Sequence, residues 1–274
     1  MRALVIAGII VLLGIIGFLL LRRFEHGEIY QPSPDLEGTP REFGLDYRNL
    51  FFHSEKERLQ GWFVPAEEAR GTLLYCHGNS GNISHCLDTV QLYHEMGMSV
   101  FVYDYRGYGN STGEPSEAGL YADAQAAWET LTGSLGISPE RIVIFGRSLG
   151  GAVAVDLASR RQAAGLIVEA SFPSMKELAQ VLHPMLPVDL ILSNHYRSAD
   201  KLARVTCPSL FIHSREDELV PWDLGQRLFS AAREPRSFLE ITGTHGEGFL
   251  NSGEAYRLPV SRFLTETLGP EPDA

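Results

Sequence analysis

The chain has 274 residues, of which 44% are hydrophobic, 21% charged and 10% aromatic, the mix of a globular protein rather than a disordered or collagenous one. Its 23 basic and 34 acidic residues leave a net charge of −11, and residues 1–23 hold three arginines and no acid, so the remaining 20 basic and 34 acidic residues give a body at −14. Such a body repels phosphate backbones and argues against a nucleic-acid partner, while three scattered cysteines make neither a disulfide scaffold nor a C-x-x-C metal or redox pair.

Residues 3–21 form an unbroken apolar run closed by Arg22 and Arg23. At about 1.5 Å per helical residue it reaches roughly 28 Å, close to the hydrocarbon thickness of a bilayer. The small residues of a signal-peptide cleavage site do not follow it, so residues 1–23 are expected to be a retained single-pass anchor, with a cleaved signal as the other reading. Arg2 on one side faces Arg22 and Arg23 on the other, so the charge bias selects no orientation. Residues 24–44, rich in Gly and Pro, are expected to be a tether, and residues 45–274 a single domain. Residues 1–25 are expected to hold no core element.

Strands are expected at 46–52 and 59–64 as an antiparallel hairpin, then at 72–76, 99–103, 141–145, 165–169, 209–213 and 236–241. Between them lie helical stretches at 85–96, 116–131, 150–160, 222–232 and 254–268. This alternation with almost continuously apolar strands specifies an α/β fold: a mostly parallel sheet with helices on both faces, its chemistry at the carboxyl ends of the strands.

The loop after strand 141–145 reads Gly146-Arg147-Ser148-Leu149-Gly150-Gly151, a G-x-S-x-G between an apolar strand and a helix. Small flanking residues allow the sharp turn that holds a nucleophilic Ser148 above the sheet. A serine needs a base and the base an orienting acid. Of nine histidines only His245 follows the last expected strand, and Asp217 is preferred over Glu216 and Glu218 as the acid after strand 209–213. The loop His77-Gly78-Asn79-Ser80-Gly81 follows strand 72–76, and its Asn79 N–H with that of Leu149 would make the two donors an oxyanion needs. Asp104 is read as a structural loop anchor.

With Asp104-Tyr105-Arg106-Gly107-Tyr108-Gly109-Asn110-Ser111 and Asp217…Pro221 added, the chain from about residue 30 to 268 resembles the α/β-hydrolases, and within them the membrane-anchored abhydrolase-domain serine hydrolases with a small cap. Ser214 departs from that pattern, which has Gly there; a serine that bonds its own backbone would keep the turn. The resemblance implies hydrolysis of an ester or thioester without metal or cofactor, and a substrate that is a small molecule or lipid-like. A peptidase of the same fold and a non-catalytic binding protein are the other readings. The cap is expected at about 172–205, where apolar residues around Pro184 and Pro187 exceed what a connection needs and would line an acyl channel.

Overall fold

The computed structural model describes residues 2–269; within α1 the side chains of residues 2–4, 7 and 10 lie outside the described set. The elements run α1 (Arg2–Ile29), β1 (Gln31–Pro32), β2 (Arg48–Ser54), β3 (Glu57–Val64), β4 (Gly71–Cys76), β5 (Ser80–Gly81), α2 (Leu87–Glu95), β6 (Met98–Tyr103) and α3 (Glu117–Glu129). Then follow β7 (Ile142–Arg147), α4 (Leu149–Ala158), β8 (Gly165–Glu169), α5 (Met175–Leu182), α6 (Val188–Ile191), α7 (Ser198–Leu202), β9 (Ser209–Ser214), α8 (Trp222–Ala231), β10 (Arg236–Ile241), α9 (Gly248–Asn251) and α10 (Glu254–Leu268).

Eight strands form one sheet in the order β10-β9-β8-β7-β4-β6-β3-β2. β2 pairs antiparallel with β3, and β3 with β6, while every other pairing is parallel. The strands at the centre, β4, β6 and β8, are buried at every position, because helices cover both faces. One core packs Leu74, Phe101, Ile144, Leu166 and Phe211 against α3, α4 and α8; the other packs Tyr75, Val102, Phe145, Ile167 and Ile212 against α2 and α10. Alternate residues of the same strands thus feed opposite faces.

The segment expected as a tether is packed on the body. Ile29 and Tyr30 are buried, Gln31–Pro32 pairs with Ser80–Gly81, and the Asn82 amide donates to the carbonyls of Ser33 and Asp35. Its Gly and Pro residues bend the chain along the surface rather than freeing it. Among the described side chains of residues 1–25 Glu25 alone is buried, at 5% exposed, and α1 continues past it to the core residue Ile29. Among the described residues no helix is long and apolar enough to cross a membrane, and the expected anchor at 3–21 lies partly outside that set.

In the expected cap region α5 stops at Leu182, two residues before Pro184, and α6 starts just after Pro187. The two prolines divide this segment as their missing N–H groups require.

Candidate active site

Ser148 sits between β7 and α4 at φ 55°, ψ −122°, a backbone that non-glycine residues adopt only when their surroundings enforce it. The enforcement is visible. The Ser148 N–H donates to the Glu169 carbonyl on β8 (2.9 Å), and the Ser148 carbonyl accepts from Ser171 Oγ (2.9 Å) and the Gly151 N–H (2.9 Å). A Cβ at Gly146 would overlap the Gly150 backbone, and one at Gly150 would overlap the carbonyls of Cys76 and His77. The turn is possible only with glycine at both places.

His245, on the loop between β10 and α9, reaches back over this turn. Its Nε2 lies 2.9 Å from Ser148 Oγ and its Nδ1 2.8 Å from Asp217 Oδ2. The Asp217 side chain is fully buried, and its Oδ1 accepts the N–H groups of Leu219 (3.0 Å) and Val220 (2.7 Å). One carboxylate oxygen is thus spent on its own loop and the other on the imidazole. Glu216 and Glu218 are exposed and use their carboxylates on backbone N–H groups of the histidine loop, at Gly243 and His245. They bind the two loops together without reaching the ring. Ser214 does what a serine there was expected to do, accepting the Glu216 N–H at 3.0 Å, and it adds a bond to the Gly243 carbonyl.

Asn79 and Leu149 line the same cavity as Ser148 and His245. The Gly78 carbonyl accepts from Nδ1 of the buried His77 (2.8 Å). In a planar trans peptide the following N–H points the opposite way, so the Asn79 N–H faces away from the His77 ring. By the same geometry the Leu149 N–H points away from Ser171, whose hydroxyl holds the Ser148 carbonyl, and it opens α4, where no intrahelical acceptor exists. Burial lowers the His77 pKa to about 4, which keeps the ring neutral beneath the loop. Its Nε2 faces Asp104 at 3.8 Å; burial raises the Asp104 carboxyl to about 7, against a hydrogen bond from the Ile83 N–H that lowers it. Asp104 lies under the loop as an anchor and does not line the cavity.

Three further features shape the site. His213 places Nε2 3.5 Å from Asp217 Oδ2 and 2.8 Å from the Val220 carbonyl, packing a second imidazole behind the carboxylate; burial lowers its pKa. Arg147 bonds Glu169 (2.7 Å), which accepts the Tyr256 hydroxyl (2.6 Å), and its guanidinium stacks 4.1 Å above Phe249 in α9. The turn carrying Ser148 and the helix after His245 are thereby joined. Lastly, the cavity, about 390 Å³, is walled by Phe24, Glu28, Ile29 and Gln31 from the N-terminal segment together with Leu178, Leu182, Leu186 and Ile191 from the cap. The sequence signals for these were the arginine's place inside the G-x-S-x-G motif and the apolar cap residues; the share of the N-terminal segment in the wall and the place of His213 had none.

The family model described as "Serine aminopeptidase, S33" matches residues 67–194, which include Asn79 and Ser148 and stop short of Asp217 and His245. An uncharacterised protein of Mycobacterium tuberculosis is 41% identical over 213 residues, 77% of this chain and 76% of its own. The α/β-hydrolase domain-containing protein WAV2 of Arabidopsis thaliana is 35% identical over 283 residues, covering 93% of this chain and 92% of that one. Among solved structures, an esterase of Pyrococcus furiosus superposes with a TM-score of 0.73 at 18% identity over 88% of this chain and 98% of its own, a likeness of fold. The sheet order, the turn at Ser148 and these relatives lead to one assignment: the chain belongs to the α/β-hydrolase superfamily.

Proposed function

We propose that this protein is a serine hydrolase that cleaves an ester or thioester of a lipophilic acyl group through Ser148, His245 and Asp217. The hydrogen-bonded line from Asp217 Oδ2 through His245 to Ser148 Oγ, 2.8 and 2.9 Å long, carries the reading. His245 Nε2 takes the Ser148 proton as Oγ attacks the acyl carbonyl. Asp217 holds Nδ1–H, fixing the tautomer and stabilising the imidazolium. The N–H groups of Asn79 and Leu149 receive the developing oxyanion, and the leaving group departs with the proton from His245. Water, deprotonated by the same imidazole, then releases the acyl-enzyme.

The acyl preference rests on the wall opposite Ser148, where Leu178, Leu182, Leu186, Ile191 and Ile29 present hydrocarbon. An N-terminal anchor fits the same substrate class. The side chains of Ile6, Ile9, Leu12, Leu13, Ile16 and Leu20 are exposed on α1, although they are apolar and the sequence around them carries no charge. A helix apolar all round needs an apolar surrounding. The hydrolase body, at −14, would then sit beside the bilayer rather than bind to it by charge.

A fluorophosphonate probe should label the purified full-length protein at Ser148 and leave Ser148→Ala unlabelled; absence of labelling in the unaltered protein would favour a binding role. Turnover of p-nitrophenyl esters should increase with acyl length and exceed that of aminoacyl-anilides. Because the matching family model is described as an aminopeptidase, cleavage of anilides with inertness toward every ester would assign the site to peptides. Full-length protein should resist carbonate extraction from membranes, and its release by carbonate or high salt would refute the anchor.

A further inference from the structure

Beside the mouth of the cavity, the cap turns part of its apolar surface outward. Met185 is 92% exposed and Leu190 81%, and neither lines the cavity. They stand next to residues that do: Leu186 follows Met185, and Ile191 follows Leu190. Exposed Val181 extends the patch along α5. Side chains of this size fully in water, in a segment only a few residues long, call for a surface to cover them.

The contacts of α1 say which surface. Arg22 Nη1 donates to the carbonyl of Ile191 (2.8 Å) and to Glu25 (2.8 Å). The Glu25 carboxylate in turn accepts from the backbone and side chain of both Ser193 and Asn194. Phe24 meets His183 ring to ring at 6.1 Å. The cap is therefore fixed at the level of the helix where the uncharged run ends and Arg22 and Arg23 begin. In a spanning helix that level is the boundary between hydrocarbon and headgroups. Beside the patch Lys176 is paired with Asp189 (2.6 Å), which lowers the cost of bringing both to an interface.

We propose that the cap face carrying Met185 and Leu190 is a second membrane-contact surface, which rests in the headgroup region of the bilayer that holds α1 and opens the acyl cavity onto it. The inference rests on the anchored reading above and adds to it the route of the substrate: an acyl chain would pass from the lipid phase into the cavity without crossing water. Two contacts also fix orientation where one helix leaves rotation free.

The test uses full-length protein in phosphatidylcholine vesicles. An environment-sensitive fluorophore is placed singly at Met185→Cys, Leu190→Cys, Ile16→Cys or Lys56→Cys in a Cys207→Ser background, since Cys76 and Cys86 are buried. Emission from positions 185 and 190 should shift to the blue and be quenched by doxyl-labelled lipid, while position 56, in the turn of the β2–β3 hairpin, should stay water-like and unquenched. Water-like emission at 185 and 190 overturns the proposal, as does a blue shift without lipid quenching, which would place protein rather than bilayer over the cap. Quenching at position 16 in either of those cases leaves the anchor standing, and no quenching at 16 removes the anchor itself.

Discussion

Around Ser148 the chain is held by backbone: β7 lies between β4 and β8, the Ser148 N–H is tied to Glu169, and Gly146 and Gly150 leave the turn no room for another residue. Across the cavity the opposite wall is two short cap helices and the end of α1, and what joins them is largely one carboxylate, Glu25, with four donors from Ser193 and Asn194. The first region resists change because the Ser148 N–H and carbonyl are both bonded, to Glu169 on the neighbouring strand and to Ser171 and Gly151, all close to the turn. The second depends on side chains far apart in sequence and is free to differ in shape without disturbing the chemistry. Under the proposed function reaction and selection are built from different materials, and substitutions should separate them.

The largest effect belongs to the backbone-held side. Ser148→Ala removes the proposed nucleophile while leaving the turn and its bonds to Glu169 and Ser171, so the fold should persist and ester turnover should fall by about 10⁶. A folded variant that retains turnover places the reaction elsewhere. Asp217→Asn comes next. The amide keeps the size of the carboxylate and can still accept from Leu219 and Val220, yet it can present N–H to His245 Nδ1 and favour the wrong tautomer. A loss of about 10⁴ in kcat is expected, with little change in KM. Equal sensitivity at Glu216 or Glu218 would assign the acid differently, because those carboxylates reach only backbone N–H groups.

The same division explains what the sequence made legible. Strands β4, β6, β7, β8, β9 and β10 follow from short apolar runs bounded by turn residues, and their ends place Ser148, Asp217 and His245 in loops on one edge of the sheet. Local pattern suffices there, since the glycines at 146 and 150 encode the turn at the position where it occurs. The segment 24–44 misleads for the opposite reason. Gly27, Pro32, Pro34 and Gly38 have the composition of a linker, but Glu25 finds its partners 168 and 169 residues away, and periodicity carries no record of such a pairing. His213 likewise looks like a strand end until the fold sets it behind Asp217.

Glu25→Ala sharpens the comparison from the cap side. It leaves the donors of Ser193 and Asn194 without their acceptor, a local cost of about 1–3 kcal/mol. Turnover of a long-chain ester should drop about tenfold through KM, as a loosened apolar wall forfeits binding, while fluorophosphonate labelling of Ser148 and short-ester kcat stay unchanged. Hydrogen exchange should quicken in residues 188–196 and remain slow in β7 and α4. A fall in short-ester kcat would show that the cap clamp also positions the reacting groups.

The smallest effect is a pair of pH responses with opposite signs, one from each region. Burial alone would raise the Glu25 pKa, but the hydrogen bonds from Asn194 and Ser193 outweigh it and hold the carboxyl below its ordinary value. A depressed acid contributes stability above its unfolded value of about 4.3 and loses it as pH falls through the folded one. Acid should therefore loosen the cap first. Asp104, beneath the loop of Asn79, behaves inversely: burial raises it to about 7, so the protonated form is the one the fold prefers. Its contribution is complete below its unfolded value of about 3.9 and is lost as pH rises through 7. Local opening free energies from hydrogen exchange, followed between pH 3 and 8, should decline toward acid at residues 188–196. At residues 77–86 the Asp104 loss toward alkali is opposed by His77, whose lowered pKa costs stability toward acid, so the Asp104 response is read as the difference from Asp104→Asn, which should grow toward alkali. Asp104→Asn, which keeps an acceptor for the Ile83 N–H, should remove only the alkaline loss at residues 77–86 and leave the acid loss from His77, while Glu25→Gln should remove only the acid loss at residues 188–196. A shift of both trends by either substitution would mean that the cap and the loop open as one unit, and the division between them would not hold.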